Sequence, residues 1–284
     1  MTAVVEQVTD AAPRRRRHTT LGLGLGFTGV IVLLALVSLF WLPFDPSDIS
    51  GGRLEGPSLE HLLGTDKLGR DLFTQLMIGA RIALIVGTAS VALAAVLGVA
   101  IGLTAAFARP WLDDSLSATL DVIIAFPVLL LAMLVVAVQG ASLWSAILAI
   151  GLAMSAVVAR LTRILARRVL HEQFITAART SGTRLPGIVF FHVLPNIAPA
   201  LGVNLALQFG AAVLAEASLS YLGLGAPPPN ASWGRLLQEA QGTVLTAPVG
   251  AIAPGVALVV LVLGVNFIAD GLRDFADPTR RRNR

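Results

Sequence analysis

The sequence predicts an all-α polytopic membrane protein with six transmembrane helices, and three observations carry that prediction. Of its 284 residues, 55% are hydrophobic and only 13% charged, about half the charge of a soluble domain; the mean hydropathy is +0.79. The apolar residues are held in long uncharged runs, where a soluble domain would place a surface charge every few positions. Sixteen of the 21 basic residues fall on segments that six spans put on one side of the bilayer.

The first run covers residues 21–42, long enough at 1.5 Å per residue to cross a hydrocarbon core of about 30 Å. The basic stretch 14–17 in front of it resembles the start of a signal peptide. The run is too long for that, and it passes into Phe40-Trp41-Leu42-Pro43-Phe44 without a small-residue cleavage site. It reads as an uncleaved first helix, with residues 1–20 as a disordered cytoplasmic tail. A second run occupies 82–107. Residues 122–159 carry no charge at all and are too long for one span. The turn-prone Gln139-Gly140-Ala141-Ser142 divides them into a tight helical hairpin. The fifth span lies within 195–215 and the sixth within about 248–269.

An even number of spans puts both termini on one side. If that side is the cytoplasm, it holds the basic residues of both tails, Arg109, and Arg160, Arg163, Arg167, Arg168, Arg179 and Arg184. Arg53, Lys67, Arg70, Arg81 and Arg235 remain outside. This is a positive-inside pattern. It accounts for the sequence pI near 10.8 without nucleic acid, and the basic clusters can also touch anionic lipid.

Between the spans, residues 44–80 form an outer loop rich in Gly, Pro and acidic residues, and 220–247 a second outer loop. In the second, Ser232-Trp233-Gly234-Arg235-Leu236-Leu237 predicts a short amphipathic helix at the membrane interface, anchored by Trp233. Gly98 and Gly102 have the GxxxG spacing that permits close helix packing. The inner segment 160–196 is too polar to span, yet patterned. Leu170, Phe174, Ala177 and Ala178 fall on one helical face, Gly182 can end that helix, and Pro186 can begin another. Such a helix suits a groove on another protein, and periodicity alone leaves a helix lying on the bilayer equally open.

Other chemistry is excluded or weak. There is no cysteine, so no disulfide or thiolate site. His171-Glu172 opens like a zincin motif, but Ile175 stands where the second ligand belongs. The only lysine, Lys67, is not in a P-loop. Gly24-x-Gly26-x-x-Gly29 lies inside the first span with no strand before it, which favours packing over a dinucleotide site. Polar residues within spans are costly and mark function by default. Asn204 and Gln208, four apart on the fifth span, are candidates for lining a hydrated path or for bonding between helices. Glu216, near the outer end, is a candidate for a gate, a substrate contact or an interface salt bridge. Asp121 and Asp270 read as boundary groups near the inner ends of the third and sixth spans.

Several stretches resemble one family. Glu172-x4-Ala177-Ala178-x3-Gly182 followed by His192-Val193-Leu194-Pro195-Asn196 is similar to the cytoplasmic loop of ABC-importer permeases, with Thr176 at its acidic position and His192 at its Ile position. His61-Leu62-Leu63-Gly64-Thr65-Asp66-Lys67-Leu68-Gly69-Arg70-Asp71 resembles the outer loop of the C-type inner-membrane permease subunit of dipeptide and oligopeptide importers. The end of the fifth span from Leu214 to Gly225, the following Pro228-Pro229 and Ser232-Trp233-Gly234, and Asp270-Gly271-Leu272-Arg273-Asp274 with Asp277-Pro278 match the same branch.

The resemblance implies a type I ABC-importer permease fold with a cytoplasmic coupling helix. Residue 21–43 would be the first helix, 44–80 the outer loop, 81–275 the permease core with its coupling segment at 168–195, and 276–284 a cytoplasmic tail. It implies a non-enzymatic subunit that pairs with a B-type permease, two ATPase subunits or domains carrying ATP and Mg, and an extracytoplasmic peptide-binding protein. Glu172, Phe174, Ala177, Ala178, Gly182, Leu185 and Pro186 would couple to an ATPase, with Asn204, Gln208 and Glu216 as candidates for the path. Related permeases carry nickel chelates or haem, and a secondary transporter is the more distant alternative.

Overall fold

The computed structural model describes residues 15–225, 227 and 231–276. Five helices are long and apolar enough to cross a membrane, and a bent pair makes a sixth when taken as one span. Among the described residues there is no strand, only an isolated bridge between Thr65 and Asp71. The expected tails at 1–14 and 277–284, and the motif residues Pro228, Pro229, Asp277 and Pro278, lie outside the described residues.

Helix α1 runs Arg15–Phe40, so residues 15–20, expected as tail, are helical. Gly24 brings it close to the last helix, α10 (Val249–Ala276): a Cβ there would lie 2.8 Å from the Gly264 carbonyl oxygen. This supports packing as the use of the first-span glycines, although Gly26 and Gly29 meet nothing within 4 Å.

Helix α2 spans Leu72–Phe107 and takes residues 72–80 from the expected outer loop. The cause is Asp71, whose carboxylate accepts from the Thr74 N–H at 2.7 Å and caps the helix well before the uncharged run begins. Arg81 is accommodated inside α2 because its guanidinium donates to the carbonyl and hydroxyl of Ser38 on α1.

The third span differs from the expectation. Helix α3 (Pro110–Ala125) and helix α4 (Val128–Gln139) meet at 90°. Pro127 holds Phe126 in an extended conformation (φ −85°, ψ 138°) and cannot continue the hydrogen-bond ladder. The absence of charge across 122–159 concealed this break. The hairpin at 139–142 forms where the turn residues predict it. Gly140 has φ +83°, and Ser142 caps helix α5 (Leu143–Leu170) by accepting from the Ser145 N–H at 3.0 Å.

Helices α2 and α5 form the centre of the bundle. A Cβ on Gly98 would lie 2.6 Å from the Val158 Cβ, and one on Gly102 would be 2.6 Å from the Thr162 Cβ, so the two backbones meet directly. Around them Val86, Ala94, Ile147, Ile150, Met154 and Val158 make an apolar core with α4 and helix α8 (Leu194–Tyr221). At the basic end of α5, Arg163 grips the Asp113 carboxylate of α3 through Nε and Nη2 at 2.5 and 2.7 Å, and Arg167 adds a contact at 2.6 Å. Asp113 is only 2% exposed, so this clamp anchors the bent pair.

The Gly98→Leu variant should cost about 3 kcal/mol of stability, because the Ser155 carbonyl and the Val158 side chain of α5 block the added side chain. Gly98→Ala should cost less, and thermal unfolding in mild detergent compares the two.

Candidate coupling site and path

The inner segment divides into parts that sequence periodicity merged. Leu170 ends α5, His171 and Glu172 make a break, and helix α6 is Gln173–Thr180. Leu170 therefore does not share a helix with Phe174, Ala177 and Ala178. The residue that seats α6 is Ile175, 0% exposed among Ala106, Ala166, Ile188, Val193, Ile197 and Leu201. The other sides of α6 are more open: Glu172, Phe174 and Ala177 are exposed and Ala178 is half-buried. The sequence signal for Ile175 was its place one position off the assumed stripe, and only the docked geometry separates the two faces.

Gly182 ends the segment as expected, with φ +82° and open space where a Cβ would sit. Leu185 and Pro186 open the short helix α7 (Leu185–Gly187) at its first turn, and both are exposed. Helix α7 does not stand apart. It continues through a π-helical turn, Ile188–Val193, into α8, making one helical stretch, Leu185–Tyr221. The expected fifth span thus extends inward to residue 185, and only 171–184 separate it from α5. Within the turn, the Leu194 N–H donates to the Val189 carbonyl five residues back. His192 lies edge-on to Phe174 with ring centroids 6.4 Å apart, tying α6 to the start of the long helix.

Helix α8 packs against α2, α4, α5 and α10 and leaves Ala200, Leu207, Ala211 and Leu214 exposed. Asn204 and Gln208 are half-buried beside that stripe, and Asn204 Oδ1 and Gln208 Nε2 are buried without a hydrogen-bond partner among the described residues. Asn266 of α10, not singled out from the sequence, brings a further amide to α8 beside Gly210.

Glu216 is placed differently from these two. It is 2% exposed, accepts from the Ser220 hydroxyl at 2.6 Å, and is also hydrogen-bonded by Ser232. It forms no ion pair among the described residues, and its position supports a latch between α8 and the outer loop. Asp121 pairs with Arg160 at 3.4 Å with both side chains more than half exposed, as suits a boundary group.

At the opposite end, the outer loop is knitted by the residues of its own motif. His61 Nδ1 lies 3.1 Å from Asp71 Oδ1, with both side chains buried. Asp66 accepts from the N–H groups of Leu68 and Arg70 and from Arg70 Nε. Arg70 reaches Glu239 at 2.7 Å on helix α9 (Trp233–Ala240). Trp233, expected as an interface anchor, is instead 1% exposed and donates from Nε1 to the Leu76 carbonyl at 3.0 Å. Helix α9 is therefore part of the bundle, fastened to α2 and α8.

A bundle of five or six helices long and apolar enough to cross a membrane defines the class as a polytopic helical membrane protein. The chain belongs to the family described as binding-protein-dependent transport system inner membrane component, whose profile matches residues 98–282. It is 37% identical over 280 residues to a dipeptide transport system permease protein of Alkalihalophilus pseudofirmus, covering 96% of this chain and 92% of that one. It is 38% identical over 272 residues to a putative peptide transport system permease protein of Brucella abortus, covering 95% and 92%. A glutathione transport system permease protein of Pectobacterium atrosepticum is 36% identical over 265 residues, covering 93% and 88%. Among solved structures, a chain of the MetNI methionine ABC transporter in inward facing conformations has the same fold, with TM-score 0.61, 21% identity, and coverage of 72% of this chain and 96% of that one. The resemblance drawn from the motifs is borne out, and the chain is a multi-pass inner-membrane component.

Replacing Ile175 with Ala should loosen α6 by about 2–5 kcal/mol through the cavity it leaves. Hydrogen exchange should then quicken at residues 173–180, while amides of α2 and the first half of α5 keep their protection.

Proposed function

We propose that this chain is the C-type permease subunit of an ATP-driven importer of di- or oligopeptides. The observation that carries the coupling assignment is the two-sidedness of α6. Ile175 is locked into the chain's own core, while Ala177 is exposed and Phe174, although in edge contact with His192, stays partly open. A helix lying on the bilayer would bury its most apolar side chains in lipid; this one instead buries Ile175 in protein and presents a short, mixed face framed by Glu172, Gly182, Leu185 and Pro186. That face suits a groove on a soluble ATPase. The peptide assignment rests on the relatives, which are named for dipeptide, peptide and glutathione transport.

In this reading a B-type permease pairs with the exposed face of α8, and the path runs between the two subunits. Asn204 and Gln208 offer amide groups to the partner helix or to a passing peptide backbone, whereas Glu216 holds the outer loop. ATP and Mg belong to the two ATPase subunits or domains, and this chain has no cofactor of its own. Closure of the ATPases moves α6, and the joined α7–α8 helix carries that movement to the path, exchanging inward- and outward-facing states. The basic residues near α6, with both termini, face the cytoplasm, where ATPases are found. An extracytoplasmic binding protein delivers peptide to the opposite side.

Because Ala177 is exposed, Ala177→Trp should leave folding and membrane insertion intact while lowering peptide uptake by about tenfold or more. Uptake of labelled di- to pentapeptides by cells with matched expression checks this, together with co-purification of the ATPases. Normal uptake with the bulky side chain in place would overturn the coupling assignment.

A further inference from the structure

A lateral cleft of about 510 Å3 lies between α1, α2 and α8, away from the exposed face of α8. Val32, Leu84, Ala92, Leu205 and Phe209 line it, and its polar groups are the hydroxyls of Thr28 and Thr88. All these residues belong to the middle stretches of their helices. Thr88 and Ala92 are exposed at its mouth, which therefore opens towards hydrocarbon. A peptide or a column of water would leave its polar groups unpaired there.

A charge lies one helical step beyond the cleft residue Leu84. Arg81, Leu84, Thr88, Val91 and Ala95 recur at steps of three and four, so they share one face of α2. Arg81 uses Nε and Nη2 on Ser38 of α1 and enters no ion pair among the described residues. Its Nη1 keeps donors for an anion, in the planar fork that suits phosphate. The rise from Arg81 to Ala95 is about 21 Å, close to half of a bilayer about 40–45 Å thick including headgroups.

We propose that this cleft is a phospholipid site: one acyl chain fills the space between α1 and the core, and the lipid phosphate pairs with Arg81. The ligand is a lipid of the leaflet on the side of the 41–71 loop. It completes the packing of α1, which meets α2 less extensively than it meets α10. This site is independent of the peptide path and of the direction of transport.

The test uses the intact transporter complex, purified and reconstituted into nanodiscs containing a phospholipid with a diazirine on its acyl chain. After photolysis, adducts are mapped by mass spectrometry. Adducts should concentrate on Leu84, Thr88, Ala92 and Phe209. Arg81→Gln should lower their yield about tenfold, while Arg81→Lys should retain most of it. Ala92→Trp, at the exposed mouth, should block labelling with Arg81 and its Ser38 contacts intact, so the site remains testable even if Arg81→Gln loosens α1. Labelling spread evenly over exposed helix faces, unchanged yields in both Arg81→Gln and Ala92→Trp, or a cleft protected by a helix of the partner permease would each overturn the proposal.

Discussion

Gly98 and Gly102 let α2 and α5 meet backbone to backbone, and the rest of the bundle is arranged around that contact. In a bilayer, apolar side chains gain little by leaving lipid for protein, so helix association relies on close van der Waals approach. Small residues provide it, and the α2–α5 seam has them where the helices cross. Each helix then extends beyond the seam to an end that does different work. Helix α2 begins at the Asp71 cap, where His61 and the outer-loop ion pairs gather. Helix α5 ends beyond the Arg163 and Arg167 clamp on Asp113, one short break from α6. A single interhelical contact thus sets the spacing between the two polar ends of the molecule.

The long helix from Leu185 to Tyr221 connects those ends a second time. At its inner end Ile188, Val193 and Ile197 enclose Ile175 of α6; at its outer end Glu216 is held with Ser220 and Ser232. Its π-helical turn has an identifiable cause. Pro195 has no N–H to offer, and the Leu194 N–H bonds five residues back to Val189, keeping the ladder engaged through a position that would otherwise break it. Ile188 and Val193, five apart, consequently face the same apolar cluster. The result is a continuous helix held at both ends, with no loop between them.

Much of this was legible in the sequence because membrane insertion constrains composition strongly. The apolar runs located the spans, the residues around Gly140 located the hairpin, Gly182 marked the end of α6, and the GxxxG pair marked the central seam. What was missed has a common physical origin. Uncharged length says nothing about direction, so the right angle at Pro127 was hidden inside an apolar stretch. The absence of charge was also used to find helix ends, yet α2 runs through Arg81 because Ser38 receives its guanidinium. Periodicity joined Leu170 to the stripe of α6 across a break it cannot detect, and so passed over Ile175. Trp233 looked like an interface residue by type, while its burial depends on the small Gly79, at which a Cβ would collide with the indole. In the inner segment a helix ending at Gly182 was readable and the sides of that helix were not.

The distribution of compensated and uncompensated polar groups separates what the chain completes alone from what it does not. Its carboxylates at the ends are paired in several places: Asp113 with two arginines, Asp66 with Arg70, Glu239 with Arg70 and Arg235. These ends are finished structures. In the middle of α8, by contrast, Asn204 and Gln208 each keep a buried polar atom without a partner among the described residues, beside an exposed apolar stripe. Each such atom costs about 1–3 kcal/mol, a cost that a paired subunit could offset by supplying donors and acceptors. A similar contrast holds at α6, whose inner side is closed around Ile175 and whose other side leaves Ala177 exposed. The two unfinished surfaces are linked in the fold, because Ile175 of α6 packs on Ile188, Val193 and Ile197 of the same long helix that carries Asn204 and Gln208.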